Sequence, residues 1–386
     1  MAGTISVYDT IAQAKTVLLE NKRPELLQER YFPTDEPLDL FEGEKVLFDL
    51  DQGDLRSGAF VKCGYVDGNT TTMFSNAVTP PRIADKDSIN LCNDRDRVIF
   101  EQLCRAQGVL NPSHADAQEA LLRIKGMRVV NRSARGIEIL CAMLLQNNAI
   151  QFTMDTSPTD STPVTIDVEY FDSGTELAPI ENPQMYKPAA NWGETGATPY
   201  DDVCAMVRTL VQNGGRAEDL LMSETAWSYL YADMNTKGLL NSQIHYTILA
   251  NGEVKDLFSA EIKDAKCVGQ AQFNGHVLNL IVYNGAYKNA NGVMTQYLPA
   301  DFVCVLAPGC GHTICGAVCL PNLAGMLTDG APSIVQKVGK FIVSKIVDPY
   351  TGVVEIRCES RPLPAPYHIW GWITLGDADQ EVDPGT

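Results

Sequence analysis

The stretch RYFPTDEPLDLFEGEKVLFDL, residues 30–50, decides how this chain is organised. It opens on two aromatic residues and a proline, and it continues through a run rich in Asp and Glu that favours solvent. From Val46 onward, apolar and acidic residues alternate, which predicts a strand with one half-buried face. A second stretch, TPPRIADKDSI at 79–89, closes the segment. The sequence between 31 and 97 is therefore extended, polar and mostly β.

This segment has no obvious core of its own. Asp67, Gly68 and Asn69 lie midway along it and suit the tip of a hairpin, because these residue types adopt the tight turns of hairpins. An extended hairpin without a core of its own needs partners. We therefore expect this part of the chain to gain its order from contacts with other molecules.

Composition and charge restrict the classes of function. The chain has 386 residues, of which 45% are hydrophobic, enough for a substantial core and two or three structural units. Its net charge of -18 argues against direct binding to nucleic acid, which depends on Lys and Arg that neutralise phosphates. Two explanations of this acidity stay open: it confers solubility alone, or it forms a surface that repels DNA.

The eleven cysteines do not read as a disulfide framework. Their number is odd, they are scattered through a large chain, and residues 1–13 show no secretory signal. We expect reduced, buried thiols that act as small hydrophobic side chains. Cys104, Cys141 and Cys204 fit this expectation, since each lies among apolar residues of a predicted helix.

The strongest helix signal covers about residues 113–148. Pro112 precedes it, and Asp116 follows Ser113 by three residues, which is an N-terminal capping pattern. An apolar stripe repeats every three or four residues; it consists of Ala117, Leu121, Ile124, Met127, Val130, Ala134, Ile137, Cys141 and Leu144. A helix of this length spans roughly 50 Å and predicts a structural spine.

Shorter elements follow the spine. Residues 164–170 alternate as a strand, Thr198 caps a helix that ends at Gly214, and Ser223 caps another. Short strands are expected between 243 and 308. Near the end, 340–347 and 353–358 form a hairpin, after which Pro362, Pro364 and Pro366 are expected to interrupt the ladder.

The order of these elements, with short strings such as NWG at 191–193 and DPYTGVVEIRCESRPLPAP at 348–366, resembles the major capsid proteins of tailed phages, in the family typified by the lambda head protein E. The resemblance implies an α+β chain with the Hong Kong 97 phage capsid fold. Its parts would be an N-terminal arm at 1–45, an extended β loop at 46–90, a peripheral domain at 91–195 with the spine helix, an axial domain at 196–338, and strands at 339–386 that return to the peripheral domain.

The resemblance implies a structural role without catalysis or cofactor. Copies would associate as hexamers and pentamers into an icosahedral head shell that encloses double-stranded DNA without reading its sequence. A scaffolding protein, a portal and a decoration protein are the further partners, with assembly in the host bacterial cytoplasm and a final place in the virion, not in a membrane. The residues expected to contact neighbouring subunits are Phe48, Phe60, Phe74, Arg82, Arg123, Arg128, Arg132 and Arg135.

Two other classes of function stay open. Cys310, His312, Cys315 and Cys319 are residue types that bind zinc or form a nucleophilic pair, although they crowd one glycine-rich segment instead of forming two separated pairs. A phage binding module is the other alternative. The uncharged run 302–328 is long enough to cross a bilayer, but its prolines and glycines favour a buried or interfacial loop.

Overall fold

The computed structural model describes residues 26–35, 38–43, 45–51, 73–90, 114–154, 164–170, 185–241, 246–247, 264–289, 292–322, 333–347 and 353–378. Within these ranges the α-helices are α1 His114–Asn147, α2 Pro199–Gln212 and α3 Glu224–Thr236, with a π-helical turn at Leu27–Tyr31 and a 3-10 turn at Leu239–Asn241.

The strands of the described ranges follow in chain order. They are β1 Val46–Asp51, β2 Met73–Val78, β3 Ile83–Asn90, β4 Ala149–Met154, β5 Val164–Glu169, β6 Met185–Tyr186, β7 Asp219–Met222, β8 Tyr246–Thr247, β9 Ala265–Phe273, β10 His276–Tyr283, β11 Ala286–Lys288, β12 Met294–Gln296, β13 Val303–Leu306, β14 Gly311–Cys315, β15 Val318–Asn322, β16 Ser333–Lys337, β17 Ile342–Val347, β18 Val353–Ser360, β19 Pro362–Pro366 and β20 Trp372–Leu375.

A seven-stranded mixed sheet with the order β6-β20-β13-β7-β10-β9-β8 forms the centre of the fold. β7 pairs in parallel with β10, and β20 pairs in parallel with β6, while the other neighbouring pairs are antiparallel. Every residue of β13 and β7 is buried. This explains why residues 302–307 are apolar and uncharged, since a central strand that is covered on both faces needs a continuous apolar run.

The two faces of this sheet pack into different cores. Alternate strand residues such as Leu220 and Val305 join the core formed with α2 and α3, whereas Leu221 and Cys304 belong to the core that contains the C-terminal half of α1. Successive strand residues point to opposite faces, so alternation along one strand supplies both cores. The sheet is therefore the middle of three layers.

Helix α1 also carries a three-stranded antiparallel sheet with the order β17-β18-β3. Gly136 permits close approach, because a Cβ built there would lie 3.0 Å from Cδ1 of Ile83 on β3. The glycine that weakens helix propensity thus has a packing role. The predicted spine and the predicted hairpin near the end of the chain are both present in the structure.

The predicted extended loop at 46–90 divides into two parts. β1 and β2 pair as a ribbon, whereas β3 leaves it and pairs with β18 along α1. Sequence reasoning placed β3 in the loop because the strand reads as polar. Its helix-facing positions include Asp85 and Asp87, which form ion pairs with Arg132 of α1.

The segment predicted to return to the peripheral domain also divides. β18 packs along α1 and β17 pairs with its outer edge, whereas β20 joins the seven-stranded sheet next to β13. The ladder of β18 ends at Ser360, before the prolines, as expected, but Pro362, Pro364 and Pro366 do not end strand pairing, since they lie within β19, which pairs with β14.

Prolines at every second position are compatible with the β14–β19 ladder. In an antiparallel pair, only alternate residues direct their N–H groups at the partner strand. The backbone N–H of Tyr367 donates to the carbonyl of Cys310 at 3.3 Å, and the N–H of Gly316 donates to the carbonyl of Arg361 at 2.9 Å. The odd-numbered residues of β19 are therefore the ones that form hydrogen bonds with β14. The prolines occupy the even-numbered positions, where no donor is required.

The two predicted helix caps differ in detail. The hydroxyl of Ser223 accepts a hydrogen bond from the N–H of Ala226 at 3.2 Å, as predicted for α3. Thr198 is the N-cap residue of α2 and Pro199 begins the helix, but the Thr198 side chain makes no capping hydrogen bond. Backbone preference therefore sets the start of α2 without help from this hydroxyl.

Candidate functional site

The end of the predicted N-terminal arm is inserted into the protein core. Leu26, Leu27, Tyr31 and Phe32 are fully buried. Phe32 packs edge-on against Trp372 of β20, with ring centroids 5.7 Å apart. We call residues 26–35 and 38–41 the anchor segment. The described end of the predicted arm at 1–45 thus places its apolar side chains among the sheet and α1, not in solvent.

Glu138 of α1 holds the first turn of the anchor segment. Its carboxylate accepts hydrogen bonds from the backbone N–H groups of Leu27 at 2.9 Å and Gln28 at 3.1 Å, and from the Tyr283 hydroxyl at 2.9 Å. The first N–H groups of a helical turn have no partner within the turn. A fully buried carboxylate therefore caps this turn and joins it to α1 and β10.

Asp219, the first residue of β7, holds the other end of the turn. Its oxygens accept from Nε of Arg30 at 2.6 Å, from the Tyr31 hydroxyl at 3.2 Å and from Nδ2 of Asn279 at 2.8 Å. The second guanidinium contact, from Nη2 of Arg30 at 3.0 Å, makes the ion pair bidentate. Burial and hydrogen bonding to Asp219 raise the pKa of Tyr31 well above its ordinary value.

The rest of the anchor segment runs beside β14. The backbone N–H of Thr313 donates to the carbonyl of Pro33. The backbone N–H of Cys315 donates to the carbonyl of Asp39, and the carbonyl of Cys315 accepts from the N–H of Phe41. Gly311 leaves room for this path, because a Cβ there would lie 2.6 Å from the Phe32 ring. The anchor segment is thus fixed by backbone pairing as well as by two buried carboxylates.

The ribbon of β1 and β2 follows directly from the anchor segment. Val46 at its base is fully buried in the core that contains α1, with Val78 of β2 packed against that core. The register pairs Val46 with Val78, Phe48 with Asn76 and Leu50 with Phe74. Directly opposed residues share a face, so all of these positions lie on one side of the ribbon.

Two predicted contact residues, Phe48 and Phe74, therefore occupy one face of the ribbon. In the part of the chain that the structure describes, this ribbon has no third strand. Phe60, the third predicted aromatic contact, lies outside the described residues. A two-stranded ribbon is marginally stable by itself, so it offers positions that a further element can cover.

The predicted arginines differ in their surroundings. Arg132 pairs with Asp85 at 3.0 Å and with Asp87 at 3.5 Å, and Nε of Arg82 donates to Glu359 at 2.9 Å, all within one protomer. Arg128 is exposed and Arg135 is half-buried on α1. Arg123 lies on α1, but its side chain is outside the described set.

The Cys and His residues near 310 do not converge on a metal site. His312 directs Nδ1 at Asp39, 2.6 Å away, and its ring stacks on Tyr367 with centroids 4.3 Å apart. Cys310 is buried with Sγ 3.7 Å from the carbonyl oxygen of Tyr31. No group of three or more ligating His, Cys, Asp or Glu residues occurs among the described residues.

The chemical state of the thiols also suits packing. Burial raises the pKa of the Cys310 thiol well above its ordinary value and raises that of Cys304 to about 12. The thiolate is the form that binds metals and acts as a nucleophile. Both thiols are therefore held in the protonated, unreactive form.

Comparison with known proteins identifies the family. The model of a family described as phage major capsid protein E matches residues 9–375. The chain belongs to this family. Its predicted α+β class and phage capsid fold are confirmed. Searching curated proteins finds no match.

Solved structures with a similar fold include the putative capsid protein of a prophage of E. coli CFT073, at 14% identity and a TM-score of 0.55, with 98% of this chain and 100% of that chain covered. A phage-related protein from Bordetella bronchiseptica RB50 has 12% identity and a TM-score of 0.45 over 94% and 96% of the two chains. The capsid of Ralstonia phage GP4 has 11% identity and a TM-score of 0.44 over 92% and 88%.

Membership of this family makes the protein a structural component of the phage capsid, and copies of it associate to form the shell of the virion. The alternatives of a Cys and His enzyme, a zinc protein or a phage binding module are not favoured. In the described part of the chain no helix is long and apolar enough to cross a membrane.

Sequence reasoning missed Glu138 and Asp219, the two carboxylates that hold the anchor segment, and Asp39, the carboxylate of the segment itself that faces His312. A signal existed for Glu138, because it follows Ala134 by four residues and precedes Cys141 by three, which places a charge on the apolar stripe of the spine. Asp219 directly precedes an apolar run, and Asp39 lies in an acidic stretch that reads as solvated. Their partners are distant in sequence, so composition alone does not reveal them.

Proposed function

We propose that this protein forms hexamers and pentamers of an icosahedral phage head that encloses double-stranded DNA, and that it acts without catalysis. The β1–β2 ribbon carries the proposal. Its base is fixed in the core by Val46, while the register places Phe48, Leu50 and Phe74 on the same side of the ribbon farther out, together with Asn76. We infer that a neighbouring subunit covers this face, because burial of apolar area drives association.

The anchor segment explains how a ribbon could bear load between subunits. It leads directly into β1, and it is joined to α1 by Glu138 and to the seven-stranded sheet by Asp219. A pull on the ribbon would therefore reach the buried core instead of a free terminus. This arrangement supports a mechanical role for the ribbon in the shell.

We further propose a scaffolding protein, a portal and a decoration protein as partners, and assembly in the host bacterial cytoplasm. The net charge of -18 supports enclosure of DNA without sequence-specific binding, since acidic walls repel phosphates.

Among the arginines, the exposed Arg128 is the best candidate for a contact with an acidic loop of a neighbour. Arg132 and Arg82 already pair within the protomer.

Electron microscopy of the expressed full-length protein tests this function. Wild-type protein is expected to form closed shells, alone or with a scaffolding protein. Phe48→Asp with Phe74→Asp places charge on the apolar face of the ribbon and should leave folded protomers that no longer close shells. Ala77→Asp, on the opposite face, is the matched control. Shells of normal yield from the double variant would refute the proposed role of the ribbon.

A further inference from the structure

The hairpin of β11 and β12 presents two apolar side chains to solvent. Val293 and Met294 are 58% and 60% exposed. The turn before them is fixed by hydrogen bonds: Asn289 donates its N–H to the Val293 carbonyl at 2.9 Å, and its side-chain oxygen accepts from the N–H of Val293 at 3.0 Å. Gly292 adopts the left-handed conformation that this turn requires, with φ at +78°. The apolar pair is thus held on a defined support.

A pocket of about 280 Å³ lies at the base of the same hairpin. Its lining includes Ser228 of α3, Tyr283 of β10, Gln296 of β12 and Ala300. Glu224 is the one charged residue among those that line it, and its carboxylate accepts a hydrogen bond from Nδ2 of Asn284 at 3.0 Å. The pocket is therefore small, mixed in polarity and negatively charged at one side.

The charges of these two features are complementary. Residues 286–296 contain one charged residue, the exposed Lys288, which pairs in register with Met294. The hairpin therefore carries a single positive charge on a chain with a net charge of -18. A positively charged, apolar tip and a pocket bordered by Glu224 are suited to meet between two copies.

We propose that Lys288, Val293 and Met294, which form the tip of the β11–β12 hairpin in its described residues, dock in the pocket of a second copy of this chain. Val293 and Met294 would fill the pocket, and Lys288 would approach Glu224 of that copy. The contact is head-to-tail, because tip and pocket are different surfaces, and repetition of such a contact closes a ring when the rotation allows it. The inference deepens the proposed shell-forming function and rests on it, since it names one contact that joins the copies.

The first test places charge on the tip of the full-length protein. Val293→Asp with Met294→Asp should reduce self-association at least tenfold in sedimentation experiments, while circular dichroism and the unfolding midpoint stay unchanged. Val277→Asp is the control, because Val277 is similarly exposed at 59% but belongs to β10, away from the tip. Equal loss of association in both variants, or no loss in the tip variant, would overturn the inference.

The second test exchanges the charges. Lys288→Glu and Glu224→Lys should each weaken self-association. An equimolar mixture of the two single variants should restore it in six-membered rings of alternating copies, because every tip then meets a pocket of opposite charge. In each variant, positions 288 and 224 of one chain carry charges of the same sign. Recovery in the mixture can therefore arise only from contacts between copies of different variants. Absence of recovery would contradict the contact.

The two proposals fail in different ways. Wild-type protein that stays monomeric at high concentration and with a scaffolding protein would refute the proposed shell-forming function. Wild-type protein that assembles, together with a tip variant that assembles equally well, would refute only the docking of the hairpin.

Discussion

The hydroxyl of Tyr283 donates a hydrogen bond to the carboxylate of Glu138 at 2.9 Å, in a place where both residues are buried. This bond joins the seven-stranded sheet to the spine helix α1. The same carboxylate accepts two N–H groups of the anchor segment, so three parts of the fold depend on one side chain. The anchor segment leads in turn to the β1–β2 ribbon.

Replacement of Glu138 by Ala should be strongly destabilising. It leaves the N–H groups of Leu27 and Gln28 and the Tyr283 hydroxyl without their acceptor, and each unsatisfied buried group costs about 1–3 kcal/mol. We expect a lower midpoint of denaturant unfolding and faster hydrogen exchange in residues 26–32. Tyr283→Phe, which removes one of the three donors and leaves the anchor segment capped, should lower the midpoint less. Equal effects of the two variants would contradict the capping role of Glu138.

Replacement of Gly136 by Ala tests the contact of β3 with α1. Alanine favours an exposed helix interior by about 1 kcal/mol relative to glycine, but here the new Cβ would lie 3.0 Å from Cδ1 of Ile83. We expect the gain to be reduced or lost in the wild-type background and to be recovered when Ile83→Val removes that methyl group. A double-mutant cycle from unfolding free energies measures the coupling.

Gly126→Ala is the matched control for this cycle. The nearest atom to its Cβ would be Cγ2 of Ile356 at 3.9 Å, an ordinary contact. It should therefore show the stabilisation expected for a helix, independent of Ile83. If Gly136→Ala and Gly126→Ala stabilise equally, the close approach of Ile83 has no energetic effect.

Sequence patterns predicted those parts of the fold in which one face is apolar. The spine helix, the Ser223 cap and the β17–β18 hairpin follow from local residue order, and each is present. Sequence patterns did not predict the packing of elements whose polar side chains face the rest of the fold. β3 reads as polar because Asp85 and Asp87 turn toward basic residues of α1, and those partners lie more than thirty residues away.

The anchor segment shows the same limit at the candidate site. Its acidic neighbours suggest a solvated arm, yet Leu26, Leu27, Tyr31 and Phe32 are fully buried. Nothing local to residues 26–35 identifies Glu138 or Asp219 as partners, because the contacts join residues more than one hundred positions apart. A family resemblance can supply the overall fold, but the buried hydrogen bonds require coordinates.

Replacement of Ala365 by Pro tests the ladder between β14 and β19. Ala365 is an odd-numbered residue of β19, and its N–H faces β14. Proline at this position removes that donor, and the neighbouring Pro364 and Pro366 have no N–H to replace it. We expect a loss of stability of about 3 kcal/mol or more. Ala365→Val adds volume at the same buried position and keeps the N–H. A proline variant no less stable than the valine variant would refute the assignment of these hydrogen bonds.

Stability should decrease in alkaline solution because buried tyrosines resist ionisation. Burial raises the pKa of Tyr170 and Tyr283 well above the ordinary value of 10.0, and that of Tyr200 rises to about 12. Above pH 10 the unfolded chain releases these protons while the folded chain retains them. The unfolded state then binds fewer protons, so the free energy of unfolding falls as the pH rises through this range.

Tyrosinate absorbance and near-ultraviolet circular dichroism, followed together during alkaline titration, check this expectation. The ionisation of the buried tyrosines should coincide with the loss of tertiary structure. Tyr170→Phe removes one ionisable group, so its stability should depend less steeply on pH above 10, even though the variant also loses the hydrogen bond to the Pro364 carbonyl. Full ionisation of the tyrosines in a chain that keeps its near-ultraviolet signal would show that the hydroxyls of Tyr170 and Tyr283 are open to solvent, contrary to their burial.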